Sequence, residues 1–492
     1  MFKDETIDAV GVDSLWRKSH QSAQDSRGCQ TQPLHTADAQ IQSLSVSESD
    51  TQTDPLDHLT QLHDGDTPKS PGLMEFLHCV EDMVVKELEK NDRSHAFDRF
   101  DVNWEDQNQT VSCLHRLQYP EAQERGLHVT SISWNCTGSV IACAFGRIDD
   151  GDWITERSFI CTWNLDRKGL NSRRPDTVID VARPVMALSF HPSRPSLITG
   201  GLYSGEVVIW DTSRTQDLVL AQTGMSANIH REPVYQVGWV PGQKKGELEV
   251  LSAGSGGRVL LWSVDAAKGE LVLSAGYALV KQQAKGSGNV GVTSVALSPW
   301  DPDIFLIGSE GGLVLKCSFS AQTPAATPSD CENIVLRAPI QFAFSQQGGP
   351  IHSLHCSPFH RNLFLTGGTD GMAHLHSLLQ AEPLASLQVS ESYVFGVRWS
   401  PTRPLIFAAA TGQGLVQIFD LGRRSWKPAA TIDQTTAGQP VYCLEFNTRQ
   451  THLLAVGNAD GSVNIWHLST KLTEQGPRET AKLEQLANEV AE

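Results

Sequence analysis

One pattern of apolar and polar positions recurs seven times between residues 126 and 470 of the chain. Each copy has apolar residues at its first and fourth positions and an aromatic residue, or a substitute for one, at its sixth. The sixth positions are Trp134, Phe190, Trp239, Leu297, Cys356, Trp399 and Phe446. Short runs of this kind predict β-strands that bury one face.

A tryptophan or a substitute follows each of these strands at a nearly fixed distance. These residues are Trp163, Trp210, Trp262, Cys317, His376, Phe419 and Trp466. In five of the seven units the distance is 20 residues, as it is from Phe190 to Trp210. Spacing this regular indicates a structural repeat in which the tryptophan lies on the third strand of each unit.

A glycine stands five residues before the third-strand position in six of the units. These glycines are Gly205, Gly257, Gly312, Gly371, Gly414 and Gly461. We expect them in tight hairpins that require a positive φ angle. In the first unit Ser158 takes this place, after an insertion over residues 147–157.

A fourth, outer strand is expected in each unit. Candidate segments are 176–182, 217–223, 270–276, 332–338, 383–389 and 428–434. The last unit has no such segment, because the residues after Trp466 form a poor strand, and an open sheet edge there would promote aggregation. We predict that residues 109–117 supply the missing strand and close the ring, so that residues 93–125 lead into the repeat domain at 126–470.

An amphipathic helix is predicted over residues 71–92, with Ser70 as its N-cap and Pro71 at its first position. Its apolar face consists of Leu73, Phe76, Leu77, Val80, Met83, Val84 and Leu88. This face packs either on the chain's own globular body or on a partner, and we favour a partner because the neighbouring arm offers no core. The C-terminal tail, residues 471–492, contains a second short amphipathic helix with Leu483, Leu486 and Val490 on one side.

The first 70 residues form an acidic arm that is poor in apolar residues and is expected to be disordered on its own. Three segments in it, 28–33, 38–44 and 49–55, place a glutamine between small or β-branched residues. An extended segment of this kind can add a strand to the sheet edge of a partner. A single triplet fits a coincidental polar tract better, but three in tandem favour multivalent binding to dimeric partners.

Charge and composition exclude several classes of function. The formal net charge is −17, with 39 Lys and Arg against 56 Asp and Glu, so we expect neither nucleic acid nor an anionic membrane surface as a partner. No apolar run is long enough to span a bilayer, and no secretory signal begins the chain. The ten cysteines are scattered singly, which predicts reduced structural thiols in a cytosolic protein.

The sequence contains no motif that indicates an enzyme. It has no phosphate-binding loop, no HExxH and no nucleophile elbow, so we expect no catalytic residue and no cofactor. The acidic hairpin at 149–152 lacks the spaced ligands of a calcium loop and predicts a solvated turn. His374 and His376 have no third ligand nearby in sequence, so they predict strand residues and no metal site.

The repeat resembles the WD-repeat family, whose unit forms one four-stranded blade of a β-propeller. The glycine, the tryptophan and the literal Trp210-Asp211 pair carry this resemblance. It implies an all-β fold, a seven-bladed propeller preceded by the arm and the short amphipathic helix.

The order of arm, helix and propeller resembles the dynein intermediate chains, and several stretches resemble those of the cytoplasmic dynein-2 motor of retrograde intraflagellar transport in cilia. These stretches include "SHAFDRFDVNW", "GGLYSGEVVIWD" and "CSPFHRNLFL". The resemblance implies a non-catalytic scaffold in the cytoplasm and the cilium, at the axoneme, the basal body and the centrosome region of the cytoskeleton.

The same resemblance implies the partners. The propeller would bind the dynein-2 heavy chain, and a second dynein-2 intermediate chain would lie alongside. Hub-type light chains would bind at Cys29, Gln30 and Thr31 and at Thr51, Gln52 and Thr53. A roadblock-type light chain would bind the helix at 73–88. The segment 38–44 departs from the motif, since it reads Ile41-Gln42-Ser43.

Two other classes remain open from the residues alone. One is a substrate receptor of a ubiquitin ligase, which often has a Trp-Asp-x-Arg sequence on a third strand. Here Arg214 follows Trp210-Asp211 one residue too late for that motif. The other is an enzymatic or ligand-binding propeller, because a propeller fold alone does not determine function.

Overall fold

A computed structural model of the protein describes residues 71–92, 110–147, 157–224, 230–242, 246–283, 286–325, 334–423, 427–434 and 438–488. It comprises two units, Met1–Val102 and Asn103–Glu492. Four features predicted from the sequence lie outside the described residues: the glutamine motifs of the arm, the segment 93–109, the acidic hairpin at 149–152, and Val490.

Most of the described chain consists of four-stranded antiparallel sheets. In chain order these sheets are β2–β5 (His128–Trp134, Val140–Gly146, Ser158–Asn164, Thr177–Val181), β16–β19 (Val292–Leu297, Ile304–Ser309, Val314–Ser318, Ile340–Ala343), β20–β23 (Ile351–Cys356, Leu363–Gly368, Met372–Ser377, Ala385–Gln388) and β24–β27 (Val394–Trp399, Ile406–Thr411, Leu415–Asp420, Ala430–Asp433). A further four-stranded sheet joins β28–β30 (Val441–Phe446, Leu453–Asn458, Ser462–Leu468) to β1 (Val111–Gln118).

An eight-stranded sheet lies between the β2–β5 and β16–β19 sheets. Its strands are β6–β9 (Val185–Phe190, Leu197–Leu202, Val207–Asp211, Val219–Gln222) and β10–β13 (Val234–Pro241, Leu248–Gly254, Arg258–Asp265, Glu270–Ala278). Its two halves are joined only through the parallel pair of Glu270 with Gln222, while each half is an antiparallel meander. A small hairpin, β14 (Val280–Gln283) with β15 (Gly286–Asn289), follows β13.

The first strands of successive sheets contact one another in a closed circle. Strand β2 contacts β6, β6 contacts β10, and the contacts continue through β16, β20, β24 and β28 back to β2. Each later strand of a sheet lies further from this circle, because the strands pair in sequence order. This arrangement is an all-β propeller, with the first strands around its axis.

The sheet that ends the chain takes its outer strand from the beginning of the propeller unit. Strand β1 pairs antiparallel with β30 from Val111 opposite Leu468 to Gln118 opposite Ser462, with one register shift between Cys113 and His115. Leu117 is fully buried, so the pairing adds to the core as well as to the hydrogen-bond ladder. Strand β1 therefore covers the edge that β30 would otherwise expose.

The hairpin glycines behave as the repeat predicts. Their φ angles are 90° at Gly205, 75° at Gly257, 78° at Gly312, 73° at Gly371, 83° at Gly414 and 73° at Gly461. At Gly205 a Cβ atom would lie 2.0 Å from the backbone oxygen of His230. Glycine is therefore required there both by the backbone angle and by the close approach of another loop.

The outer strands were predicted correctly in five units and wrongly in one. Residues 334–338, the described part of the segment 332–338, do not form the outer strand of the β16–β19 sheet, which is Ile340–Ala343 paired with β18. Arg337 instead lies beside β13 of the preceding sheet, where its backbone N–H donates a hydrogen bond of 3.0 Å to the oxygen of Gly276. The reason is that the side chain of Leu336 fills the space beside Gly276. A Cβ atom on Gly276 would lie 2.6 Å from the Leu336 side chain.

The described part of the chain contains four helices: α1 (Pro71–Asp92) in the first unit, and α2 (Pro120–Glu124), α3 (Thr470–Thr473) and α4 (Glu479–Asn488) in the second. The last two pack on the propeller. Leu472 of α3 joins the apolar cluster of β25–β30, and Leu483 of α4, fully buried, joins the cluster of β21–β26. Arg403 binds the buried carboxylate of Glu479 at the start of α4.

The core consists of apolar side chains packed between neighbouring sheets. Among the third-strand residues, Trp163, Cys317 and His376 are at most 1% exposed, while Trp466 is half-buried. The described cysteines are free thiols, and burial raises the pKa of Cys356 and of Cys443 to about 12. Such thiols stay protonated and act as small apolar side chains. Among the described helices, none has the length and apolar character required to cross a membrane.

Candidate interaction surfaces

Helix α1 presents an uncovered apolar face. Over the side chains that the structure describes, Phe76 is 60% exposed, Met83 67% and Leu88 62%. Leu77 and Val84 are also exposed, and Val80 is half-buried. Leu73 lies within the helix, although its side chain is outside the described part. An apolar face of this extent is a candidate site for a protein partner, which is what the sequence predicts for this helix.

The predicted light-chain sites in the arm cannot be placed on the structure. Cys29, Gln30 and Thr31, like Thr51, Gln52 and Thr53, fall outside the described residues. They remain predictions from the sequence, and the geometry of the propeller has no bearing on them.

The propeller has two faces, which differ in what covers them. The hairpin face bears the glycine turns and the links that run from each outer strand to the next first strand. Turns and links are joined by hydrogen bonds; for example, Gly412 N–H donates to Tyr393 O at 2.8 Å. The opposite tail face bears the loops that follow the first strands, together with helices α3 and α4. On the tail face Trp300 is 52% exposed and Leu379 is 77% exposed.

A cavity of about 320 Å³ opens into the axis of the ring, among the first strands β10, β16, β20, β24 and β28. Its wall is mostly apolar, with Val237, Val295 and Leu354 among the lining residues. Two charged side chains cross it as an ion pair, since Arg398 Nε lies 2.8 Å from Glu445 Oε2. Because the two charges neutralise each other, neither Arg398 nor Glu445 is free to bind a charged ligand in the cavity.

Five rings form a continuous aromatic row on the hairpin face, which we define as His128, His352, Tyr393, Phe395 and Tyr442. Ring centroids are 5.1 Å apart for His352 and Phe395, 5.2 Å for Phe395 and Tyr442, and 5.7 Å for Tyr442 and His128. Tyr393 lies 6.0 Å from Phe395. The row thus spans four successive first strands or the links just before them.

The aromatic row is not among the features predicted from the sequence. Its signal is the second position of each first-strand pattern, occupied by His352, Phe395 and Tyr442 in three successive units. In these three strands that position lies at a register shift between the buried first residue and the third residue. Since neighbouring first strands are in contact, a ring at this position in each of several units places the rings side by side.

Buried polar residues tie the links to the sheets. His230 Nε2 lies 2.8 Å from Ser252 Oγ, which also accepts a hydrogen bond from Trp262 Nε1 at 2.8 Å. Gln434 Oε1 accepts from Trp466 Nε1 at 3.0 Å in the last sheet. Burial lowers the pKa of His230 to about 3, so it is neutral at physiological pH. We assign His230, Ser252 and Gln434 a structural role, since each is buried and takes part in at least one of these hydrogen bonds, although Gln434 Nε2 has no hydrogen-bond partner among the described residues.

His374 and His376 do not form a metal centre in the described residues, where no group of three potential ligands is found. His376 stacks on Phe364 at 4.9 Å, and its Nε2 lies 3.0 Å from Gln347 Nε2. His374 Nε2 instead contacts Asp370 Oδ2 at 3.1 Å. In a different sheet, Arg214 lies in the turn after β8, where it contacts Asp211 and the backbone oxygen of Val219 and is therefore engaged within its own hairpin.

Comparison with known proteins agrees with this architecture. The family model of the dynein axonemal intermediate chain 3 WD40 domain matches residues 300–468, and that of the WD domain, G-beta repeat, matches residues 179–211. The chain is 51% identical over 501 residues to cytoplasmic dynein 2 intermediate chain 2 of Mus musculus, covering 99% of this chain and 93% of the relative.

Two further relatives are dynein intermediate chains as well. The Homo sapiens cytoplasmic dynein 2 intermediate chain 2 is also 51% identical, over 502 residues, with 93% of its length covered. The cytoplasmic dynein 1 intermediate chain of Drosophila melanogaster is 26% identical over 382 residues, which are 77% of this chain and 54% of the relative.

Proposed function

The chain belongs to the cytoplasmic dynein 2 intermediate chain family, and from this premise we propose that it scaffolds the dynein-2 motor for retrograde intraflagellar transport and cilium assembly. As a dynein intermediate chain it is a non-catalytic subunit. The observation that carries the proposal is the 51% identity over 99% of the chain, which takes in the arm, helix α1 and the propeller together.

The propeller is the part that binds the dynein-2 heavy chain, and we assign it seven blades. The eight-stranded sheet counts as two blades in this assignment, because a single residue pair joins its halves. The circle of contacts that runs through β2, β6, β10, β16, β20, β24 and β28 supports the same count. A closed ring with rigid blades gives a platform whose exposed loops hold their positions without a partner.

The N-terminal part binds the light chains. Residues 1–70 serve as the arm for hub-type light chains, through the segments at Cys29–Thr31 and Thr51–Thr53, and residues 71–92 provide the helix for a roadblock-type light chain. The exposed apolar face of α1 supports the second assignment, since Phe76, Met83 and Leu88 are each at least 60% exposed. Dimeric light chains shared with a second dynein-2 intermediate chain would raise the effective concentration of each further contact.

The assignment places the protein in the cytoplasm and in the cilium, with the microtubule cytoskeleton as its track. Sites at the axoneme, the basal body and the centrosome region follow from the same proposal. Neither nucleic acid binding nor membrane insertion belongs to it, in keeping with the net charge of −17.

Affinity purification of the tagged full-length chain from ciliated cells, followed by mass spectrometry, tests the proposal. We expect a dynein heavy chain together with hub-type and roadblock-type light chains. Recovery of ubiquitin ligase subunits without a dynein heavy chain would overturn it.

A further inference from the structure

The aromatic row has the composition of an interface centre. Its tyrosine, phenylalanine and histidine rings lie edge to edge at centroid distances between 5.1 and 6.3 Å. Tyr393 is 52% exposed, and the other four rings are half-buried. Half-buried rings already hold fixed positions, so a partner that covers them loses little conformational entropy.

The surroundings of the aromatic row are acidic. At the hairpin face of the β20–β23, β24–β27 and β28–β30 sheets, the turns and links include one basic residue among their described residues, Arg125 in the link from β1 to β2, and it pairs with Glu121 of the same link. The other carboxylates are Glu124, Asp370, Glu391, Asp433 and Asp460. Asp370 binds His374, and Asp460 binds Arg116, but Glu391 and Asp433 are exposed and have no ion pair within the described chain.

The tail face of the same sheets is already occupied by the chain itself. Helix α4 inserts the fully buried Leu483 there, and its half-buried Leu486 and Ala487 pack against the same cluster. Arg403 fixes the start of the helix through Glu479. A partner that approaches these sheets end-on therefore meets the chain's own tail on one side and the uncovered aromatic row on the other.

We propose that the aromatic row and its acidic rim form the surface on which the propeller docks the dynein heavy chain, through a heavy-chain segment that carries Lys or Arg side chains. This inference rests on the proposed function and specifies the face and the chemistry of that contact. Lysine and arginine stack on aromatic rings through cation–π attraction while their aliphatic stems cover apolar surface. The unpaired carboxylates of Glu391 and Asp433 would attract the same segment over a longer range.

The test is co-expression of the full-length chain with the N-terminal tail region of the heavy chain, followed by pull-down and titration. The first variant is Tyr393→Ala with Tyr442→Ala, and the second is Glu391→Lys with Asp433→Lys, which leaves the rings in place. The control is Trp300→Ala with Leu379→Ala on the tail face. Trp300 is a close match because its exposed fraction, 52%, equals that of Tyr393.

We expect the ring variant to weaken heavy-chain binding by about tenfold or more, the range of an interface hot spot. The charge variant should weaken it by several-fold at low salt and by less at high salt, since exposed charges are screened. The control should bind within about twofold of the wild type, as expected of residues outside an interface. Thermal melting of each variant separates loss of binding from loss of folding, and the charge variant changes only exposed side chains.

The outcomes separate this inference from the proposed function. If the wild-type chain captures no heavy chain, the proposed function fails and the inference with it. If the wild type captures heavy chain and both folded row variants do so equally well, the proposed function stands and the inference is overturned. Loss of binding in the control alone would also overturn it, because docking would then use the tail face.

Discussion

Arg116 of β1 donates a hydrogen bond of 2.8 Å to Asp460, although 344 residues separate the two along the chain. The bond lies next to the antiparallel pairing of β1 with β30, so it marks the seam at which the propeller closes. Both side chains are partly exposed, and the ion pair itself contributes little stability. The pairing of the two strands, with Leu117 buried beneath them, contributes far more.

Replacing Leu117 with alanine should therefore destabilise the seam. We expect a loss of about 2–5 kcal/mol in the free energy of unfolding, because Leu117 is fully buried. Arg116→Ala, one residue away and exposed, should cost no more than about 1 kcal/mol. Urea unfolding of the two variants measures the difference, and equal losses would show that β1 contributes no core.

Replacing Gly205 with alanine should cost more than replacing Gly169, although both have positive φ angles, 90° and 79°. The Cβ of an alanine at Gly169 meets nothing within 4 Å, so only backbone strain of about 1–2 kcal/mol is expected. At Gly205 the new Cβ would collide with the oxygen of His230 and add a further cost of about 1–3 kcal/mol. Differential scanning calorimetry of both variants tests the order, and similar melting temperatures would contradict it.

The stability of the propeller should fall in acid. Burial lowers the pKa of His230 and of His376 to about 3, whereas the unfolded chain has ordinary values near 6.5. Protons therefore bind to the unfolded state first, and the stability that is complete above pH 6.5 is lost as the pH falls toward 3. Each histidine contributes up to about 1.4 kcal/mol per pH unit in this window.

A variant that cannot titrate provides the control for this pH dependence. His376→Gln keeps a polar group near Gln347 and removes one proton-binding site, so the free energy of unfolding should depend less steeply on pH between 6 and 4. Urea unfolding at several pH values measures the slope. A slope identical to that of the wild type would show that His376 is not one of the groups responsible.

Substituting aspartate on the apolar face of α1 should abolish roadblock-type light-chain binding. Phe76→Asp places a charge in the centre of the face that the partner would bury, and a buried unpaired charge costs several kcal/mol. His78→Asp adds a carboxylate two residues away, outside the apolar face, and should bind normally. Pull-down with the purified light chain compares the two, and equal recovery would exclude this face as the binding site.

Replacing Thr51, Gln52 and Thr53 with alanine should weaken hub-type light-chain recovery and leave the melting temperature of the propeller unchanged. The physical reason is that strand addition uses the side chains of alternate residues for specificity. Co-purification from cells at equal expression measures the effect. Unchanged light-chain recovery would contradict the assignment of this segment.

The repeat could be predicted from the sequence because its signals are local. A hairpin glycine and a third-strand tryptophan lie five residues apart, and each is required by the conformation of its own unit. The position of the outer strand near residue 340 could not be predicted, because residues 332–338 and 340–343 are both apolar segments. What distinguishes the two segments is the space beside Gly276 in the preceding sheet, which the Leu336 side chain fills.

The candidate site was predictable only in part, for a similar reason. Helix α1 and its apolar face follow from a 3.6-residue period within one segment. The aromatic row depends instead on contacts between first strands of different units, and Phe395 and Tyr442 become neighbours only when the ring closes. Likewise, nothing near Arg403 in the sequence indicates Glu479 as its partner.

Closure by β1 also imposes an order on the synthesis of the protein. A ribosome adds about 5–20 residues per second, so the 344 residues between Arg116 and Asp460 take roughly 20–70 s to make. Throughout this interval the nascent chain carries an eight-residue strand whose partner does not yet exist. A transcript that ends before residue 462 would never supply that partner. Chaperone demand and quality control of this subunit should therefore depend on whether its final strand is translated.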